Sequence, residues 1–260
     1  MWVLNGIKRR YRKKAPGKTG LAHLPPVSLI VPCYNEADFL QQKAENCLSL
    51  DYPPSLLNII FITDGSTDHS AEVLKNYPSI KHMHLPERRG KIAAMNRSVA
   101  AADTPIIIFC DANTILNKQA IRNITRHYED EKVGGVAGEK RISLETDGGM
   151  TGAGEGAYWK YESFLKKLDS EFYSVVGAAG ELFSFRKELF ENLGDNILLD
   201  DFIISLKIGM KGYRVIYEPD AYAVETASFS IAEERKRKIR ISAGGFQSIV
   251  ILKGLLNIFK

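Results

Sequence analysis

The stretch Ile106-Ile107-Ile108-Phe109-Cys110-Asp111-Ala112-Asn113 decides the fold. Its first five residues are apolar and β-prone, without the polar alternation of a half-solvated strand. Such a strand is covered on both faces, as in a mainly parallel α/β sheet layered with helices. The run then ends at two oxygen-bearing side chains. In such sheets ligands lie beyond the carboxyl ends of the strands, and residues i and i+2 leave a strand on the same side. Asp111 and Asn113 therefore read as two hard donors converging on one point, where Mg2+ or Mn2+ would complete its shell with water and substrate phosphates. Capping of the next helix explains the pair locally as well. An EF-hand loop does not, because Leu116 and Arg122 stand where Gly and Glu are needed.

The same pattern extends upstream. Val27 to Val31 reads as a strand stopping at Pro32, followed by a helix from about Glu36 to Leu50. Leu57 to Ile62 is a second strand, with the turn Thr63-Asp64-Gly65-Ser66-Thr67-Asp68 and a helix through Lys75 behind it. Ile80 to His84 is a third strand, Gly90 to Ala102 a helix, and Pro105 to Cys110 the central strand. The segments Cys33-Tyr34-Asn35-Glu36 and Thr63-Asp64-Gly65 thus fall on the same edge as Asp111-Ala112-Asn113. The Asp64 carboxylate can accept from the donor edge of a pyrimidine, although a turn accounts for it equally. Glu87-Arg88-Arg89-Gly90-Lys91 opens a helix with cations and free backbone N–H groups, a setting for a diphosphate or simply a solvated loop.

Downstream the pattern is mixed. A Gly-rich stretch runs from Gly148 to Gly156, an aromatic helix lies around Tyr158 to Leu168, and short strands are expected near Glu181 to Phe185 and Arg214 to Tyr217. No strand precedes Gly152, Gly154 and Gly156, so they form no dinucleotide fingerprint. Asp200 and Asp201 stand between Leu199 and Phe202 at a helix start. Adjacent like charges raise one pKa, which suits general-base work on a hydroxyl, and helix capping competes as the explanation. The histidines at 69, 82, 84 and 127 show no metal-ligand spacing.

The 260 residues, 45% hydrophobic and 25% charged, describe an ordinary globular chain. Cys33, Cys47 and Cys110 are an odd number with no C-x-x-C, so neither a disulfide framework nor a zinc knuckle is indicated, and a reducing compartment fits. The net charge of +4 is concentrated in Lys8 to Lys18 and Arg235 to Arg240. Each such residue adds about 1 kcal/mol at an anionic membrane, the partner expected here rather than nucleic acid. No apolar run reaches the ~18 residues of a membrane span, but Ser248 to Lys260 (SIVILKGLLNIFK) reads as interfacial or membrane-proximal.

Taken together, Val31-Pro32-Cys33-Tyr34-Asn35-Glu36, Thr63 to Asp68, Arg89-Gly90-Lys91-Ile92-Ala93-Ala94-Met95-Asn96, Asp111-Ala112-Asn113, Gly177-Ala178-Ala179-Gly180, Asp200-Asp201 and Gly212 to Pro219 resemble, in order and spacing, the family 2 glycosyltransferases of bacterial membrane-associated polysaccharide synthesis. The resemblance implies a GT-A fold: a Rossmann-like, mainly parallel sheet flanked by helices, with a mixed acceptor-side C-terminal half. It also implies inverting transfer from a nucleotide sugar, expected to be UDP-linked, to a saccharide or lipid-linked acceptor at the cytoplasmic face of the cell membrane. On that basis Pro32, Tyr34, Glu36 and Asp64 would hold the nucleoside, with Asp64 facing uracil. Lys91, Arg237 and Arg240 would meet the diphosphate, while Asp111 and Asn113 would hold Mg2+ or Mn2+. Gly180 and Asp200 would lie on the acceptor side, with Asp201 as the base. The domain would span 26–247, between a basic tail at 1–25 and the apolar segment 248–260.

Two positions depart from the family's pattern. Asn113 replaces the second acid of D-x-D. Where processive members carry Q-x-x-R-W, this chain has Arg237-Lys238-Ile239-Arg240-Ile241, which keeps an arginine but lacks the Trp platform. Transfer of one or a few sugars is therefore expected over processive polymerisation. Two rival readings are a nucleotidyltransferase, which would need a Gly-rich signature near the first strand, and a non-catalytic nucleotide-binding scaffold, which would need no base.

Overall fold

The computed structural model describes residues 24–143, 150–178, 180–226 and 231–256. The basic residues Lys8 to Lys18, the start of the Gly-rich stretch, Ala179 and the last four residues of the apolar run lie outside them.

One eight-stranded sheet organises the chain, in the order β3-β2-β1-β4-β7-β6-β8-β5. The first half is a parallel βα array: β1 (Val27–Cys33), α1 (Ala37–Leu48), β2 (Leu57–Asp64), α2 (Ser70–Lys75), β3 (Lys81–Leu85), α3 (Lys91–Ala100) and β4 (Ile106–Cys110). Side chains alternate across it, yet both faces are apolar. Leu29, Val31, Phe61 and Ile108 pack with Leu40, Ala44 and Leu74 on one side. Ile30, Ile60, Ile62, Ile107 and Phe109 pack with Ile92, Met95 and Val99 on the other. Each fully buried Leu, Ile or Phe side chain contributes about 1.5–3 kcal/mol, so this two-sided burial fixes the sheet.

β1 does not stop at Pro32 but continues to Cys33, paired with β2. Its pairing with β4 ends at Ile30 opposite Phe109. Beyond that point a proline's missing N–H costs no ladder bond on that side.

The second half adds β5 (Thr114–Leu116), α4 (Ala120–Thr125), β6 (Val133–Ser143), α5 (Met150–Phe172), β7 (Leu182–Arg186), α6 (Asp200–Met210), β8 (Arg214–Thr226) and α7 (Ile231–Ile251). β7 is antiparallel to both β4 and β6, and β5 is antiparallel to β8, whereas β6 and β8 run parallel. The glycines Gly152, Gly154 and Gly156 fall inside α5. β6 escapes a reading by β-propensity because three of its residues are glycines. A Cβ at Gly134 would come within 2.6 Å of Ile208 and Tyr213, and one at Gly138 within 2.8 Å of the Ala221 carbonyl. β8 runs past the expected Tyr217 to Thr226, absorbing Pro219 and Asp220 in a register shift beyond Glu218.

Candidate functional site

The carboxyl ends of β1, β2 and β4 lie side by side, and hydrogen bonds knit the segments that follow them. The Asn35 amide donates to Ser66 Oγ (3.2 Å), and the Thr67 amide donates to Asn35 Oδ1 (2.8 Å). Asp68 accepts from the amides of Ala37 and Ser70, both at 3.0 Å. Gly65 has φ +66, and a Cβ there would lie 2.5 Å from the Arg88 amide nitrogen, so only glycine permits this close approach. Arg88 in turn stacks its guanidinium 3.8 Å from the centre of the half-exposed Tyr34 ring.

Asp64 is buried, and both of its oxygens are engaged. Oδ2 accepts from the amides of Arg89 (2.8 Å) and Gly90 (2.6 Å), and Oδ1 pairs with Arg97 Nη2 at 2.8 Å. Two of the N–H groups expected to await a diphosphate therefore belong to Asp64. The other terminal nitrogen of Arg97, Nη1, is buried without a hydrogen-bond partner among the described residues.

The second cluster centres on Lys91, at the start of α3. Its Nζ lies 3.2 Å from Asp111 Oδ1 and 3.5 Å from Asp200 Oδ2. Asp201 shares the same small pocket, walled by Pro32, Met95, Phe109, Gly180 and Phe183. The carboxylates of Asp111, Asp200 and Asp201 keep Lys91 protonated against the opposing effect of burial. For Asp201, burial and then the neighbouring Asp200 push the carboxyl up to about 7, although Lys91 and the Phe202 amide, 2.8 Å from Oδ1, pull the other way. Burial likewise raises Asp111, with Lys91 opposing. Glu36 is raised by partial burial and by Asp111 and Asp68. A Cβ at Gly180 would lie 3.2 Å from Asp201 Oδ2, so the glycine leaves the carboxylate room.

Asp111 and Asn113 do not share a partner. Asp111 turns to Lys91, while Asn113 Nδ2 donates to Glu225 Oε1 at 3.3 Å. Behind them runs a charged row: Glu225 pairs with Lys140, Lys140 Nζ bonds Glu181 Oε1 at 2.6 Å, and Arg237 lies 3.5 Å from the same oxygen. Arg237 is thereby drawn to the site, whereas Arg240 is exposed on α7. Beneath the loop, the fully buried Lys43 donates from Nζ to the Thr114 carbonyl (2.6 Å) and to Cys110 Sγ (2.9 Å), supporting residues 110–114. Sequence reasoning missed Arg97, Lys140, Glu181 and Glu225. The one available signal was the charged triplet Glu139-Lys140-Arg141 inside a strand whose other residues are small or apolar.

Among the described residues, no group of three His, Cys, Asp or Glu side chains is gathered tightly enough to hold a metal ion. The chemistry of the donors nevertheless fits a hard divalent cation. All are oxygens, and three carboxylates share one ammonium, so the pocket carries negative charge that a cation would neutralise.

A family model described as Glycosyl transferase family 2 matches residues 28–194. The poly-beta-1,6-N-acetyl-D-glucosamine synthase of Staphylococcus aureus strain MSSA476 is 26% identical over the whole chain, which spans 65% of that protein's length. The synthase of the same name from Staphylococcus epidermidis is 24% identical over 96% of the chain and 63% of its own length. Among solved structures, a mannosyltransferase, PcManGT from Pyrobaculum calidifontis in complex with GDP-Man and Mn2+, superposes with a TM-score of 0.77 at 24% identity, over 96% of this chain and 71% of that one. TarS of S. aureus gives a TM-score of 0.61 at 16% identity, over 78% and 37%. These likenesses show that the fold is that of the GT-A glycosyltransferases.

Proposed function

Since the chain belongs to glycosyl transferase family 2, we propose that it is an inverting glycosyltransferase moving a sugar from a UDP-linked donor to a saccharide or lipid-linked acceptor in cell-surface or extracellular polysaccharide synthesis. The observation that carries this reading is Asp201. Its carboxyl, half-buried beside Asp200 and facing Lys91, is pushed by desolvation and by Asp200 up to about 7, where a general base works best near neutral pH. In the proposed reaction Asp201 takes the proton of the acceptor hydroxyl while that oxygen forms a bond to the anomeric carbon. The bond from that carbon to the diphosphate breaks on the opposite side, and the electron pair leaves with the nucleotide.

Lys91 and Arg237 face the departing diphosphate and offset its charge. Asp111 and Asn113 would hold Mg2+ or Mn2+, which when bound supplies Lewis-acid stabilisation of that same charge. Tyr34, stacked on Arg88, and Pro32 and Glu36 line the nucleoside side. Arg97 Nη1, a buried donor without a hydrogen-bond partner among the described residues, supports a pyrimidine carbonyl there, so Asp64 acts on the base by holding Arg97 and the Arg89-Gly90 loop. Gly180 and Asp200 lie toward the acceptor.

Attachment to the cytoplasmic face of a membrane is part of the proposal. Among the described residues no helix is long and apolar enough to cross a bilayer. α7, however, exposes Ile239, Phe246, Ile249 and Val250 beside the basic run Arg235 to Arg240. That combination suits anionic lipid.

The test is nucleotide release from UDP-sugars, UDP-N-acetylglucosamine included, in Mg2+ or Mn2+ with saccharide and lipid-linked acceptors, with GDP-mannose as the comparison donor. Asp201→Asn is expected to cut turnover by roughly 10^2 to 10^4-fold while donor affinity stays within a few-fold of wild type. Full turnover in that variant would remove Asp201 as the base, and failure to bind any nucleotide sugar would remove the enzyme reading.

A further inference from the structure

We infer that Glu225 is a positioning residue that aims the carbonyl oxygen of Asn113 at the divalent cation, an inference resting on the metal site proposed above. An ionised carboxylate only accepts hydrogen bonds, whereas a carboxamide has a donating and an accepting end. With Glu225 Oε1 3.3 Å from Asn113 Nδ2, the amide must turn its NH2 to Glu225 and its carbonyl away from it. Glu225 is itself fixed. Its backbone pairs with Thr114, the residue after Asn113, so the two side chains are delivered together. Its other oxygen pairs with the buried Lys140, which Glu181 holds from the far side. Held through Oε2 by a buried lysine that a second glutamate fixes in turn, Glu225 is the more constrained of the two side chains, so the amide follows it.

The same geometry explains why an asparagine stands where the family carries an acid. An aspartate at 113 would set its carboxylate against that of Glu225 with no proton between them, and like charges that close repel. Asn113 is then not a weakened metal ligand. It is the ligand that a neighbouring glutamate allows, with one formal charge moved from position 113 to position 225.

The experiment is a titration of Mn2+ against the full chain in the presence of UDP, following free Mn2+ by electron paramagnetic resonance, so that no turnover is needed. Glu225→Gln lets the amide of Asn113 rotate and is expected to weaken Mn2+ binding roughly tenfold, the scale typical of lost partners behind a ligand. Asn113→Asp, which restores the family's acid, is expected to weaken binding as well. The double variant Asn113→Asp, Glu225→Gln exchanges carboxylate and amide and is expected to return to within about threefold of wild type, because glutamine can donate to the aspartate. It lacks the Glu225–Lys140 pair just as Glu225→Gln does, so its recovery separates positioning from loss of that pair or of the fold.

Wild-type affinity in Glu225→Gln, tighter binding in Asn113→Asp, or a double variant as weak as the worse single one would each overturn the inference while leaving the metal site standing. A wild-type chain that takes up no Mn2+ with UDP would overturn the metal site and this inference with it.

Discussion

A carboxyl group half-buried beside a second one surrenders its proton late, and Asp201 carries a consequence that a pH profile can read. The group is raised from an ordinary 3.8 to about 7, so its basic form disappears as pH falls through 7. The rate of transfer, measured as kcat/KM, should drop about tenfold per pH unit below that point, and Asp200→Asn should move the break lower. The sign for stability is opposite. The folded chain binds this proton more tightly than the unfolded one, so the group's contribution is complete below about 3.8 and is lost as pH rises through 7. A flat rate profile between pH 5 and 7 would contradict the assignment. At this scale the sequence singled out polar residues at the end of an apolar strand or the start of a helix, Asp111, Lys91 and Asp201, and these line one pocket. It was silent on Glu225 and Lys140, whose meaning comes only from strands that meet across the sheet. It was silent too on the grip of Asp64 on Arg97 and on the Arg89-Gly90 amides, because nothing in Thr-Asp-Gly points to a loop beyond β3.

Among elements, β1, β2 and β4 could be read because their residues face apolar neighbours on both sides, and β3, β7 and the helices of the first half were placed as well. β6 could not be read, since its glycines are there for the bulk of Ile208, Tyr213 and Leu182 rather than for any local preference. The turn after β2 is where an element and the site depend on each other most directly. Gly65→Ala would force a Cβ into the Arg88 backbone at a positive φ, and is expected to cost roughly 1–3 kcal/mol. The loop from Glu87 to Gly90 should shift with it. Urea unfolding would measure the stability loss, and calorimetry with UDP should show weaker binding in the same variant. Loss of stability without loss of UDP affinity would separate the turn from the nucleoside site.

Across the molecule, α7 is locked onto the segment that leads into Asp200 and Asp201. Gln247 bonds the backbone of both Asn196 (2.6 Å) and Leu198 (2.9 Å), and Gly244 packs where a Cβ would meet Leu199 at 2.4 Å. The outward side of α7 remains apolar and basic. The chain should therefore sediment with anionic vesicles at low salt and be released as salt rises. Placing Asp at both Phe246 and Val250, which are 75% and 74% exposed, should reduce binding at least tenfold with no change in melting temperature. Equal binding to neutral vesicles would argue against charge attraction. The pairing of β5 with β8 also has a consequence in time. Asn113 and Glu225 are 112 residues apart. At a synthesis rate of about 5–20 residues per second, roughly 6 to 22 seconds separate the making of the two. A nascent chain thus has the edge from Asn35 to Asp68 early and waits for its last strand before Asn113 can meet Glu225, so chains interrupted before β8 would lack that contact.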